Sequence, residues 1–129
     1  MRYGGNDPAP SPAGLRGVLE PRLRSEGMRM IIVIGHVITS PETATETTRL
    51  CTEHSARSRA EPGCLAHNVH ADCEDPSRLV FVERWADMDA LRAHFALPES
   101  RTFVREIRAL SPAPAEVKIY IAEESSPAR

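Results

Sequence analysis

Short β-branched apolar runs alternate along the chain with stretches of helical spacing, and that alternation sets the expected order of elements. MIIVIGHVI, from Met30 to Ile38, is apolar and short, which predicts a strand buried on both faces. Ser40 and Pro41 follow as N-cap and first helical residue with Glu42 in the first turn, so a helix is expected from Pro41 to about Ala60, closed by Pro62 and Gly63. CLAHNVHAD then reads as a second strand, DPSR as a turn and RLVFVERW as a third strand, making residues 64–85 a hairpin. Asp87 caps a short helix that carries Met88, Leu91, His94 and Phe95 on one face and breaks at Leu97 and Pro98. A further helix after Pro98 turns Phe103, Val104, Ile107 and Leu110 inward, and PAPAEVKIYIAEE supplies the fourth strand.

This order is β-α-β-β-α-β with the last helical region broken in two, the ferredoxin-like α+β arrangement: one antiparallel sheet with helices on one face. The strands are apolar on both sides, since Val80 and Val82 point opposite to Phe81 and Trp85. The second face therefore needs a cover, and a homodimer is expected. The first helix is short of large apolar side chains. Its best inward stripe is Ala44, Thr47, Cys51, His54 and Ser58, with Leu50 beside it, while Thr43, Thr45, Thr47 and Thr48 work against helix propensity. Such a face suits a helix that borders a cavity, or one that is loosely packed.

Composition narrows the class. A chain of 129 residues holds one domain with a real core. The first 27 residues, rich in Pro and Gly and without an apolar h-region, are expected to be a flexible leader, a cloning remnant, or an upstream extension of a domain that starts near Met28 or Met30. The domain is expected over 28–124 and a flexible tail over 125–129. A net charge of -2 leaves no basic stripe for a phosphate backbone or an anionic membrane, so nucleic acid and membrane are not expected partners. No apolar run reaches the length of a membrane helix. Cys51, Cys64 and Cys73 are odd in number and lack close C-x-x-C pairing, which suits reduced thiols and a cytoplasmic protein.

Candidate chemistry gathers around the third strand. Phe81, Glu83 and Trp85 share one face by alternation, and the helix begun at Asp87 must pack over it. Trp85, the single tryptophan, is then either a core plug or the wall of a pocket where sheet and helices diverge. His94 faces inward with Leu91 and Phe95, either as a core histidine satisfied by backbone or as a proton acceptor with an unperturbed pKa of about 6.5. His36 on the first strand and His67 on the second are the other imidazole candidates. His67 and His70 fall on opposite faces and cannot share a metal, and no metal site is expected. Glu83 is the one acid inside a buried-looking strand and must be paired or have a raised pKa, with Arg84, Arg101 or Arg105 as salt-bridge partners. Cys51 and Cys64 read as small buried hydrophobes.

IIVIGHV, SPE at the first helix, AEPGCL, FVERW, ALRAHF and VKIYI stand in the order and spacing of the antibiotic biosynthesis monooxygenase (ABM) family, which the chain resembles over residues 30–122. The resemblance implies a dimeric α/β-barrel whose subunits each hold a pocket between sheet and helices. It also implies oxidation of quinol-like or polyketide phenols by molecular oxygen with no metal, flavin or other cofactor, although other members degrade haem or isomerise small metabolites. In the family the residue matching Trp85 lines the pocket. A phenol-oxidising member has Asn and Tyr where this chain has Phe81 and Leu91; its downstream Arg is kept as Arg105, and the iron-binding His of haem-degrading members is missing around Val104. The expected enzyme binds a small aromatic with His94 or His36 as base, Trp85 and Phe81 as walls and Arg105 as an anchor for negative charge. Glu83, His67 and Leu91 complete its substrate-binding set. The alternative is a non-catalytic, small-molecule-binding dimer or a metabolite isomerase on the same fold.

Overall fold

Alternation in β1 (Arg29–Ile38) decides which side of the sheet becomes the core: Ile31, Val33, Gly35 and Val37 are buried, whereas Ile32, Ile34 and His36 are half-covered on the opposite face. The computed structural model describes residues 29–127. The expected leader over residues 1–27, Met28 and the last two residues lie outside the described residues. The elements that follow β1 are α1 (Ala44–Ser58), β2 (Cys64–Ala71), β3 (Arg78–Trp85), α2 (Met88–Ala96), α3 (Pro98–Leu110) and β4 (Glu116–Glu123). This is the expected β-α-β-β-α-β order, with the second helical region in two pieces.

The four strands form one open sheet in the order β2-β3-β1-β4, every neighbouring pair antiparallel. Its register sets the rows of side chains. Across β1 and β3, Ile31 stands opposite Trp85, Val33 opposite Glu83, Gly35 opposite Phe81 and Val37 opposite Leu79. On β2, His67 stands opposite Glu83, just after a register shift between Cys64 and Ala66. A single row therefore runs Val33, Glu83, His67 across three strands on the helix side.

The helices begin and end where local chemistry dictates, with one departure from expectation. Asp87 caps α2 by accepting from the Ala90 N–H at 2.8 Å, and Pro98 occupies the first turn of α3. The first helix starts at Ala44 instead of Pro41, because residues 41–43 form a turn closed by Thr43 N–H to the Ser40 carbonyl. The Ser40 hydroxyl meets Thr43 Oγ1 at 2.8 Å rather than a helical N–H, and Thr43 Oγ1 in turn donates to the Leu110 carbonyl, tying the start of α1 to the end of α3. α1 ends at Ser58, two residues short of the expected Ala60.

The buried stripe of α1 is Thr47, Cys51, His54, Ser55 and Ser58, close to the expected one. On α2 and α3 the buried face is narrower than the spacing suggests: Leu91, His94, Phe103 and Ile107 are covered, while Phe95 and Val104 stay about half exposed because only one side of each helix meets the sheet. Two apolar clusters result, one of Val37, Cys51, Leu79, Phe81, Phe103 and Ile107 and one of Ile31, Val33, Trp85 and Leu91. Among the described residues no helix covers β4. Its Val117, Ile119 and Ile121 pair with Gly35, Val33 and Ile31, yet are 57%, 43% and 72% exposed. Among the described residues no helix is long and apolar enough to cross a membrane.

Candidate active site

Three elements each deliver one imidazole to the same place: α1 brings His54, β2 brings His67 and α2 brings His94. All three are buried, with ring centres 5.1 to 5.5 Å apart. One ring nitrogen from each lies within 4.8 Å of the other two. His54 stacks flat on Phe103 at 4.0 Å. Burial pushes its pKa down to about 3, and the neighbouring His94, His67 and Arg57 push the same way, so the ring is neutral near pH 7.

The other two rings are oriented by side chains from neighbouring elements. His94 Nδ1 is 2.8 Å from Glu61 Oε1. Glu61 stands in the turn before β2, where Gly63 adopts φ +80 and the Ala86 N–H donates to the Gly63 carbonyl at 2.8 Å. A Cβ on Gly63 would come within 2.5 Å of the Ala90 Cβ, so glycine lets this turn lie directly on α2 and hold Glu61 against His94. His67 Nδ1 is 2.9 Å from Ser55 Oγ, and Arg59 donates to the His67 carbonyl at 2.8 Å.

Glu83 is 8% exposed and lies beside these rings. Its Oε1 accepts from the Trp85 indole N–H at 2.9 Å, and its Oε2 is 3.3 Å from His67 Nε2. The arginines expected to pair with it do not reach: Arg84 points to the other face of the sheet by alternation, and Arg101 and Arg105 are on the exposed side of α3. Although His67 Nε2 is close to the carboxylate, the two make no hydrogen bond, and this fully buried nitrogen has no hydrogen-bond partner among the described residues. A group left in that state costs about 1–3 kcal/mol.

A pocket of about 570 Å³ opens between the sheet and α3. Val33, Phe81, Phe103 and Ile107 form its apolar walls, and His54, Glu83, His94 and Ser100 supply its polar groups. Gly35 contributes space: a Cβ there would stand 3.2 Å from the Glu116 carbonyl, on the side where residues 111–117 bound the pocket. Phe81, Glu83 and His94 thus reach the pocket, whereas Trp85, Leu91 and His67 stand behind its wall. Trp85 is fully buried with its ring 4.7 Å from His94, so it plugs the core and holds Glu83 through the indole N–H. Arg105 is exposed, bonded to Thr102 Oγ1 at 3.1 Å, and does not line the pocket. His36 touches the rim, but its ring lies on the opposite face of the sheet from His94, 3.3 Å from Arg78 and 3.8 Å from Glu116.

Comparison with known proteins identifies the lineage of the chain. A Synechocystis protein, the uncharacterised sll1783, is 33% identical over 90 residues, 70% of this chain and 61% of its own length, so the chain spans under two thirds of that relative. The family described as antibiotic biosynthesis monooxygenase matches residues 30–106. The chain belongs to that family. A solved structure described as an antibiotic biosynthesis monooxygenase shares 30% identity with this ABM chain over 75% of it and 99% of the other, at a TM-score of 0.66. A conserved protein from Methanosarcina mazei Go1, 24% identical over 74% of this chain and 94% of its own, has the same fold at a TM-score of 0.69.

Within the ABM domain, sequence reasoning missed His54, Ser55 and Glu61. His54 stood on the inward stripe of α1, and that position was the available signal; Glu61 sits in a turn, where nothing in the pattern marks a buried partner. The arrangement offers one imidazole backed by a carboxylate at a mostly apolar pocket, and a tight group of three imidazoles behind and beside it.

Proposed function

We propose that this ABM protein is an oxygen-dependent monooxygenase of a small, quinol-like or phenolic aromatic, with His94 as the base. The observation that carries the reading is a single one: His94 lines the pocket while Glu61 holds its Nδ1 at 2.8 Å, leaving Nε2 for a substrate hydroxyl. The similarity to a solved structure described as an antibiotic biosynthesis monooxygenase supports the same class of reaction. A small aromatic would lie against the apolar walls formed by Val33, Phe81, Phe103 and Ile107, which shield it from water and so strengthen the polar contacts at the His94 end.

In this reaction the phenolic proton passes to His94 Nε2 and the phenolate gives one electron to oxygen. The resulting pair combines with formation of a carbon–oxygen bond. Loss of water then leaves the quinone, so one oxygen atom enters the substrate and the other leaves as water. The substrate supplies the electrons, and the protein supplies orientation, a dry site and the proton acceptor. In the same reading a second copy of the chain covers the outer face of the sheet, and the three free thiols fit a reducing, cytoplasmic setting.

The test is oxygen uptake with a panel of hydroquinones. His94→Gln is expected to lower kcat by roughly 10²–10⁴-fold while the thermal midpoint moves little, because the amide fills similar space. Undiminished turnover in this variant removes the base from the mechanism. Turnover that continues unchanged without oxygen assigns the pocket to an isomerase instead.

A further inference from the structure

We propose that His54, His67 and His94 form a buried site for one divalent first-row transition-metal ion, with the Glu83 carboxylate at its edge. The inference concerns binding alone and does not rest on the oxidation reading, although it shares His94 with it. Its geometric basis is that three imidazoles from three different elements each bring one nitrogen to within 4.8 Å of the other two. Metal–imidazole bonds of about 2.0–2.1 Å put two nitrogens of a tetrahedral ion roughly 3.4 Å apart. Closing the group onto an ion thus needs ring movements on the order of 1 Å.

The surroundings are those of a ligand set and not of an ordinary core. Metal-bound imidazoles are held through their second nitrogen by a carboxylate or other polar group. His94 Nδ1 has Glu61 at 2.8 Å and His67 Nδ1 has Ser55 at 2.9 Å. His67 Nε2 is fully buried, has no hydrogen-bond partner among the described residues and lies 3.3 Å from Glu83 Oε2. That separation is close to the spacing of two ligand atoms on one tetrahedral ion, roughly 3.4 Å, and Trp85 fixes the other carboxylate oxygen. Nitrogen donors with one carboxylate favour ions such as Co²⁺, Zn²⁺, Ni²⁺ or Fe²⁺ over Mg²⁺ or Ca²⁺. His54 and His94 also line the pocket, which gives an ion its way in. An ion held there takes the His94 nitrogen that would otherwise accept a proton, so metal binding and base chemistry compete for one lone pair.

The experiment uses the full chain, stripped with a chelator and titrated with Co²⁺ in the absence of quinol, with d–d absorption and X-ray absorption as readouts. Expected are saturation at one ion per chain and a first shell of nitrogen and oxygen only. His54→Ala and His67→Ala should lose the signal. Ser55→Ala, which removes only an orienting hydroxyl, should weaken binding by roughly 10–100-fold, and Cys73→Ser should leave it unchanged. No saturable binding, or binding that survives both histidine substitutions or disappears with Cys73, overturns the proposal. If the histidine variants do not fold, the wild-type absorption edge still decides, because sulfur ligation or a first shell without imidazole scattering overturns it. Since no turnover is measured, a failed oxygen-uptake assay leaves this result untouched.

Discussion

Burial pushes the Cys51 thiol up to about 12, and burial together with the carboxylates of Glu61 and Glu83 pushes Cys64 up to about 11, whereas Cys73 is exposed. Reactivity follows the thiolate, so a thiol reagent at pH 8 should modify Cys73 in the native protein and reach the other two only on unfolding. One equivalent per chain is the expected titre, and three in the native state would contradict the packing around α1 and β2. The same shifts make stability depend on alkaline pH. An unfolded thiol ionises near its ordinary 9.0, while the folded ones keep their protons to about 11 and 12. Their contribution is therefore complete below pH 9 and declines as pH rises through that window. The unfolding free energy read from urea titrations should fall between pH 8 and pH 10, by about 1–2 kcal/mol from Cys51 and Cys64 together. Cys51→Ala should flatten part of that slope.

The turn before β2 shows how a single element controls the site. Gly63→Ala forces a left-handed residue to carry a Cβ that meets Ala90, and should cost about 1–3 kcal/mol, read as a lower thermal midpoint. Because Glu61 hangs from the same turn, the variant should also lose more oxygen uptake than its stability loss accounts for at temperatures where it is folded. Equal, wild-type-like activity would separate the turn from His94. Much of this scale was legible in the chain: alternation in β1 and β3, the Asp87 cap, Pro98 at the start of α3 and the small polar stripe of α1 all have local causes. That stripe suited either a cavity or loose packing, and only the packing of α1 on β2 and α3, which brings His54 to the pocket, decides for a cavity edge. The meeting of three of the five histidines is likewise tertiary, since His54, His67 and His94 belong to elements whose mutual angles no local pattern encodes. Trp85 was placed correctly on its face, yet alternation cannot tell a plug from a wall; the packing of Ile31, Val33 and Leu91 around it does.

At the scale of the molecule, the outer face of the sheet is what remains unsatisfied. Val82 is exposed and stands opposite Ile34; Val80, Ile32 and Tyr120 extend the same apolar surface across three strands. Among the described residues no helix lies on this side, and an uncovered patch of this kind in water favours association, each buried Å² contributing about 25 cal/mol. Two copies meeting through a two-fold axis would bring the patch onto itself, and a stable contact of this type covers about 800 Å² on each partner. Sedimentation equilibrium should accordingly give a dimer at micromolar concentration. Val82→Glu places a charge at the centre of the contact without touching the helix side, so it should yield a folded monomer by circular dichroism with the pocket still present. If wild-type sediments as a monomer, the outer face is simply tolerated. If Val82→Glu remains a dimer, the contact lies elsewhere, and the exposed row of Val117, Ile119 and Ile121 beside the pocket becomes the surface that needs a partner.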